Sequence, residues 1–348
     1  VPAIVENCIT MPPFRDLVPS MPRVGAAMQQ NEAEKSGKKA GSPNSAFFYA
    51  AVYGRIAVLK KEQTRTNKRN LTMSNAPKTV LAIHDLPGFG RAALSVIVPV
   101  LSTLGVQTVA LPTAVLSTHT GGLGTPAKLS NPGYGPAALA HYQRLGLRFD
   151  CIYSGYLADA AQAKLVEQAF ELWPRAFKVV DPVLGDGGRL YSGLGADMVP
   201  AMYSLCSKAD LIVPNVTEAA LLLGDPLPGV GSVEQAAAQA ARLTRVAPQV
   251  VVTGVTGIGG GRYIGCVGAA RGGEGYAVKA PLQPRMFHGT GDIFAAVLVG
   301  RILQGNVPQA AVQAAAAFVA ECIRQTPEGA DERLGVWLEN ALPKLRQE

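Results

Sequence analysis

Cysteine is scarce in this chain and scattered. Cys8, Cys151, Cys206, Cys266 and Cys322 form no CxxC pair. That excludes a disulfide framework and a zinc site of that spacing, and it fits buried thiols in a reducing cytosol. No uncharged apolar run approaches the roughly 18 residues of a spanning helix, so a membrane span is excluded. No Walker A element is present: Gly37-Lys38-Lys39 lacks the following Ser or Thr and the upstream glycine. There is no HExxH, and no GxSxG elbow opening a helix. A chain like this that handles ATP does so without a P-loop.

What is present is apolar. Of 348 residues, 48% are hydrophobic, which excludes a wholly disordered chain and supplies a sizeable core. The formal charge of +7 is unevenly spread. Residues 1–72 hold 11 Lys+Arg against 5 Asp+Glu, and residues 73–348 hold 21 against 20. The body is therefore nearly neutral, which argues against nucleic acid as a partner. The first 72 residues include a polar stretch from Gln29 to Asn44 and a basic run from Lys60 to Arg69. We expect a disordered leader or a gene-model extension over 1–72 and a single domain over 73–348.

From Met73 onward, short apolar runs alternate with helical stretches. The runs include Val80–Ile83, Thr108–Leu111, Cys151–Tyr153, Lys178–Val180, Leu211–Val213 and Val250–Thr253. Continuous apolar strands separated by helices predict an α/β fold with a mostly parallel central sheet covered on both faces. Arg262–Val267 and Tyr276–Ala280 read as a late β-hairpin. In such sheets, ligands sit at the carboxyl ends of the strands.

The first strand is read as ending at His84-Asp85, followed by Gly88-x-Gly90-x-x-Ala93. This matches a dinucleotide fingerprint, but no acidic residue follows between Asp85 and Asp150 to hold a ribose. The other reading is a glycine turn that lets a helix approach the sheet. The second strand is read as ending at Thr113, before a loop of hydroxyls and one imidazole, Ser117-Thr118-His119-Thr120-Gly121. Ser154-Gly155-Tyr156 puts an aromatic at another strand end. Asp181 and Asp186 flank a glycine-rich loop suited to a hydrated Mg²⁺ or to a moving lid. Asn215 and Glu218 open a helix, either as its cap or facing a metal–phosphate complex. His288-Gly289-Thr290-Gly291-Asp292 precedes a long apolar helix. Its free amides and dipole suit an anion, and Asp292 suits a general base.

Gly289-Thr290-Gly291-Asp292, Asp181-Pro182-Val183-Leu184-Gly185-Asp186 and Pro214-Asn215-x-x-Glu218 together resemble the ribokinase-like superfamily. Ser117-Thr118-His119-Thr120-Gly121 and Ser154-Gly155-Tyr156 are similar to its pyridoxal (vitamin B6) kinase branch. The resemblance covers about residues 78–345. It implies ATP-dependent phosphorylation of the 5′-hydroxymethyl group of pyridoxal, pyridoxine or pyridoxamine by a cytoplasmic homodimer. It makes Asp292 the base and Gly289, Thr290 and Gly291 the anion hole. Asp186 and Glu218, supported by Asn215, would organise Mg²⁺. Asp181 and Thr253 would fix a monovalent cation, K⁺, and the phosphates. Asp85, Ser117, His119, Thr120 and Tyr156 would surround the pyridine ring, and Gly185–Tyr191 would close over the phosphates. Thr253, Gly254 and the stretch to Phe287 would cradle the nucleotide. His84-Asp85 stands where Gln-Ser is usual, and an Asp there is familiar from hydroxymethylpyrimidine kinases, the alternative reading. A B6-binding protein without activity is a third.

Overall fold

Val80, Leu81, Ala82 and Ile83 are all fully buried, so this strand is covered on both faces. It belongs to β1 (Thr79–Phe89), an interior strand third from one edge of a nine-stranded sheet. The computed structural model describes residues 76–346, apart from 192, 196 and 228–230. The leader expected over 1–72 lies outside the described residues. Residues 77–271 and 275–346 form one compact unit.

The other strands are β2 (Gln107–Thr118), β3 (Lys128–Leu129), β4 (Cys151–Ser154), β5 (Phe177–Val180), β6 (Gly185–Asp186), β7 (Arg189–Leu190), β8 (Leu211–Ile212), β9 (Gln249–Ile258), β10 (Tyr263–Ala270) and β11 (Tyr276–Pro281). The large sheet runs β11-β10-β9-β8-β5-β4-β1-β2-β3. Its pairs from β2 through β9 are parallel. The late hairpin is present as β10 and β11, antiparallel and in register from Tyr263↔Pro281 to Gly268↔Tyr276. A small separate hairpin pairs β6 with β7.

Nine helices occur among the described residues: α1 (Leu94–Thr103), α2 (Tyr134–Arg144), α3 (Ala160–Leu172), α4 (Met198–Cys206), α5 (Val216–Leu223), α6 (Val233–Leu243), α7 (Thr290–Leu303), α8 (Pro308–Gln325) and α9 (Leu338–Leu345). One buried apolar cluster joins α1, α7, α8 and α9 to alternate strand residues, among them Ala82, Tyr153, Val179 and Val251. The intervening Leu81, Ile83, Ile152, Val180 and Ile212 are equally buried and serve the opposite layer. Helix α7 is buried continuously from Ile293 to Ile302, as expected of a helix apolar all round.

Two strands are longer than their apolar runs suggest. β1 continues past His84 to Phe89, and β2 continues past Thr113 to Thr118. They stay paired through Leu86↔Val115, Pro87↔Leu116 and Phe89↔Thr118. The register shifts between His84 and Leu86, opposite Pro112. Pro112 has no amide to give to the ladder, and such irregularities re-aim side chains near active sites. Ser117 therefore lies on a strand rather than in a loop, and its hydroxyl accepts from the Ala127 amide at 2.9 Å.

Candidate active site

The first turn of α7 sets the site. Gly289 caps it in the left-handed region (φ 80), where glycine is favoured. A Cβ there would lie 2.0 Å from the carbonyl oxygen of Arg91, so the helix start is pressed against the turn after β1. A Cβ on Gly291 would meet no protein atom within 4 Å. The leading amides of a helix have no acceptor within it. The start of α7 has no side-chain cap, and an uncapped helix start of this kind suits an anion. The Thr290 hydroxyl donates to the Phe287 carbonyl at 3.1 Å and ties the turn together.

Asp292, in the same turn, is gripped from two sides. Its Oδ2 accepts the Ala93 amide at 2.7 Å, and its Oδ1 lies 3.1 Å from Nε2 of His84. Nδ1 of His84 lies 2.6 Å from Oδ1 of Asp85. The imidazole is 2% exposed and bridges two carboxylates. Burial opposes its charge, but Asp292 and Asp85 outweigh burial and push its pKa up to about 10. Tyr156 joins this group through its amide, 3.2 Å from Nε2 of His84.

His119 is placed differently. Its Nδ1 accepts the Gly121 amide at 3.0 Å and its Nε2 lies 2.6 Å from the Arg333 carbonyl oxygen. Both ring nitrogens are thus used within the protein, and the ring lies tilted against that of His288, 5.2 Å between centroids. Thr120 is exposed beside it. The Gly88–Ala93 turn is the close-approach turn, not a dinucleotide loop. It abuts α7 and aims the Ala93 amide at Asp292.

On the other side, four carboxylates gather. Partial burial of its hydroxyl, then the charges of Glu218, Asp186, Asp181 and Asp292, raise the pKa of Tyr191, a residue still 42% exposed. Burial raises the pKa of Asp181, and the Asp292 charge adds to it. Burial, then Asp181, raises Glu218. Glu218 completes a capping box: Oε2 accepts the Asn215 amide at 2.8 Å and Oε1 that of Leu184 at 3.1 Å. Asn215 caps α5 through Oδ1 and reaches the Gly185 carbonyl through Nδ2 at 2.8 Å. The β6–β7 flap is held at its tip by the Gly188 amide on the Thr217 hydroxyl, 3.0 Å. Thr253 bridges to Asn215, and Gly254 follows with φ 73. Phe287 is buried in the core cluster, with the Arg285 guanidinium over its ring.

No group of three or more His, Cys, Asp or Glu among the described residues is arranged to hold a metal by itself. Crowded carboxylates beside an anion cradle do suit a hydrated Mg²⁺, which keeps its waters and shares phosphate oxygens. Sequence pattern alone assigns no contact to His84 or Thr217, and it does not bring Ala93 to Asp292.

Against known proteins, the sequence model described as phosphomethylpyrimidine kinase matches residues 102–336. The chain belongs to this family. Within it, the chain is a pyridoxal kinase type of the ribokinase-like superfamily. The pyridoxal kinase of Lactobacillus plantarum is 35% identical, with a TM-score of 0.71 over 77% of this chain and 96% of that one. A candidate phosphomethylpyrimidine kinase from Bacteroides thetaiotaomicron, solved with pyridoxal, is also 35% identical, with a TM-score of 0.73 over 77% and 96%. The pyridoxal kinase PdxY of Deinococcus radiodurans is 27% identical over 262 residues, 70% of this chain and 86% of the relative.

Proposed function

We propose that this chain is an ATP-dependent kinase of B6 vitamers, phosphorylating the 5′-hydroxymethyl group of pyridoxal, pyridoxine or pyridoxamine. One observation carries the reading: Asp292, held at both oxygens, stands beside the open amide cradle of Gly289, Thr290 and Gly291. Asp292 takes the proton of the vitamer hydroxyl. That oxygen bonds to the γ-phosphorus, the bond to the β–γ bridging oxygen breaks, and ADP leaves. The cradle faces the charge on the transferred group. The pyridoxal held by the Bacteroides relative supports the acceptor class.

Asp186 and Glu218 would hold Mg²⁺ through its waters, with Asn215 fixing Glu218. K⁺ would sit beside Asp181 and Thr253. When bound, these cations neutralise phosphate charge. Asp85 and Tyr156 would meet the pyridine ring, with Ser117, His119 and Thr120 bordering it. Thr253 and Gly254 would flank the nucleotide. The flap from Gly185 to Tyr191 excludes water by closing over the phosphates. We place the protein in the cytoplasm as a homodimer, with residues 73–348 sufficient for activity. The four described cysteines are free and buried, in keeping with that compartment. No described helix is long and apolar enough to cross a membrane.

The test is ADP release from MgATP with each B6 vitamer and with hydroxymethylpyrimidine, alongside Asp292→Asn. Turnover on the vitamers, lost in the variant, is the expected result. Turnover on the pyrimidine alone moves the substrate, and Asp85 is then the residue to alter. No turnover on any acceptor leaves a binding protein. Removal of residues 1–72 should leave kcat/KM unchanged.

A further inference from the structure

His84 and the strained amide of Ala93 take no part in the transfer step itself, and both converge on Asp292. We propose that they form a clamp: the Ala93 amide and the His84 imidazolium fix the Asp292 carboxylate in one orientation and keep a positive charge against it. His84 is then a positioning residue, and the proposal rests on the reading of Asp292 as the base.

The geometry carries this. Ala93 has φ 52 and ψ −139, and it is the only positive-φ residue other than glycine among those described. Such a conformation is strained and persists only where the surroundings impose it. Here it turns the amide onto Oδ2 of Asp292 at 2.7 Å. His84 takes the other oxygen, 3.1 Å from Nε2, and is itself backed by Asp85 at Nδ1, 2.6 Å away. A carboxylate held at both oxygens loses its freedom to rotate, which is the requirement for taking a proton along one direction.

The charged groups around the imidazole all favour its protonated form except through burial. Asp85 faces it from β1 and Asp292 from α7. Asp181, after β5, is close enough to feel its charge. The Tyr153 ring of β4 lies 6.4 Å away between centroids. The amides of Asp85 and Tyr156 lie 3.0 and 3.2 Å from Nδ1 and Nε2. A neutral ring, accepting the Asp85 amide at Nδ1 or the Tyr156 amide at Nε2, is the competing arrangement, and the two differ by a proton that can be observed.

Two measurements decide. The first is nitrogen NMR of the histidine side chains in the full-length parent. The chain has four histidines. One ring should keep both its protons at about pH 8.5, two units above the ordinary histidine value. Four neutral rings at that pH overturn the clamp, and no variant is needed to see it. The second is His84→Gln, assayed with MgATP and a B6 vitamer across pH. We expect kcat to fall about tenfold or more with KM within about threefold, and the acid limb of kcat to move up by about one pH unit. A kcat within threefold of the parent, or a fall with no movement of the acid limb, overturns the positioning role. A parent that phosphorylates no vitamer sinks the reading of Asp292 as base, and the clamp's part in catalysis with it. The parent assay shows that before any variant is made, while the nitrogen spectrum still reports on the ion pair.

Discussion

A Cβ at Gly155 would lie 2.0 Å from Cδ2 and 2.1 Å from Nε2 of His84. The imidazole occupies the place where a side chain at 155 would stand. Gly155 also donates its amide to the Ile83 carbonyl at 3.2 Å, so its backbone has little room to retreat. Gly155→Ala should therefore overpack the strand end, at a cost of about 1–3 kcal/mol. It should also push His84 off Asp292 and lower kcat by about tenfold. Thermal unfolding and steady-state kinetics check both. Parent-like Tm and kcat together would show that the ring has room to spare.

Asp292→Asn should keep the fold and ATP binding, because the amide is nearly isosteric and Ala93 can still donate to its oxygen. It removes the acceptor for the hydroxyl proton, and kcat should drop by about 10²-fold or more. A kcat within about threefold of the parent would remove Asp292 from the role of base. Titration with a fluorescent ATP analogue separates lost chemistry from lost binding.

Much of this architecture was readable from local pattern. Buried parallel strands have a signature of continuous apolar residues, and Val80–Ile83, Cys151–Tyr153 and Lys178–Val180 all carry it. The helix start at Thr290 was legible because two glycines and an Asp before an apolar run have few other uses. Strand ends were less legible. β1 and β2 pair beyond His84 and Thr113 because tertiary pairing continues across a bulge that composition does not mark. The clamp was invisible for a different reason. Asp292 is distant in sequence from His84 and Ala93, and the contact exists only because Gly289 lets two backbones close in and Gly155 leaves room for the imidazole. His119 is a different case: a histidine in a polar loop is legible as a residue near a ligand, but the sequence does not show that its two nitrogens are engaged by Gly121 and Arg333.

Asn215 links the cap of α5 to the flap. Its Oδ1 accepts the amides of Thr217 and Glu218, both at 2.9 Å, and its Nδ2 holds the Gly185 carbonyl at 2.8 Å. Asn215→Ala should cost about 0.5–2 kcal/mol through the lost cap. It should also loosen the hinge of the Gly185–Tyr191 flap and the carboxylate of Glu218. The KM for MgATP should then rise more than the KM for the vitamer. Equal rises in both would separate Asn215 from the nucleotide side of the site.

Stability should depend on pH through His84. Its folded pKa, about 10, lies above the ordinary value of 6.5 because Asp292 and Asp85 outweigh burial. The folded protein therefore holds a proton that the unfolded chain releases between those values. By linkage, the stabilisation is complete below about pH 6.5 and is lost as pH rises through about 10. Asp181 and Glu218, raised by burial, give the same sign at lower pH, above the ordinary carboxylate range. Urea unfolding at about pH 7 and about pH 9.5 should show the parent losing stability across that interval. In His84→Gln the loss should be smaller, since glutamine binds no proton in either state. Comparing the two proteins cancels the tyrosines and lysines that titrate in the same range. Parallel curves for parent and variant would mean that the imidazole holds no extra proton in the folded state, and the ion pair between His84 and Asp292 would then be wrong.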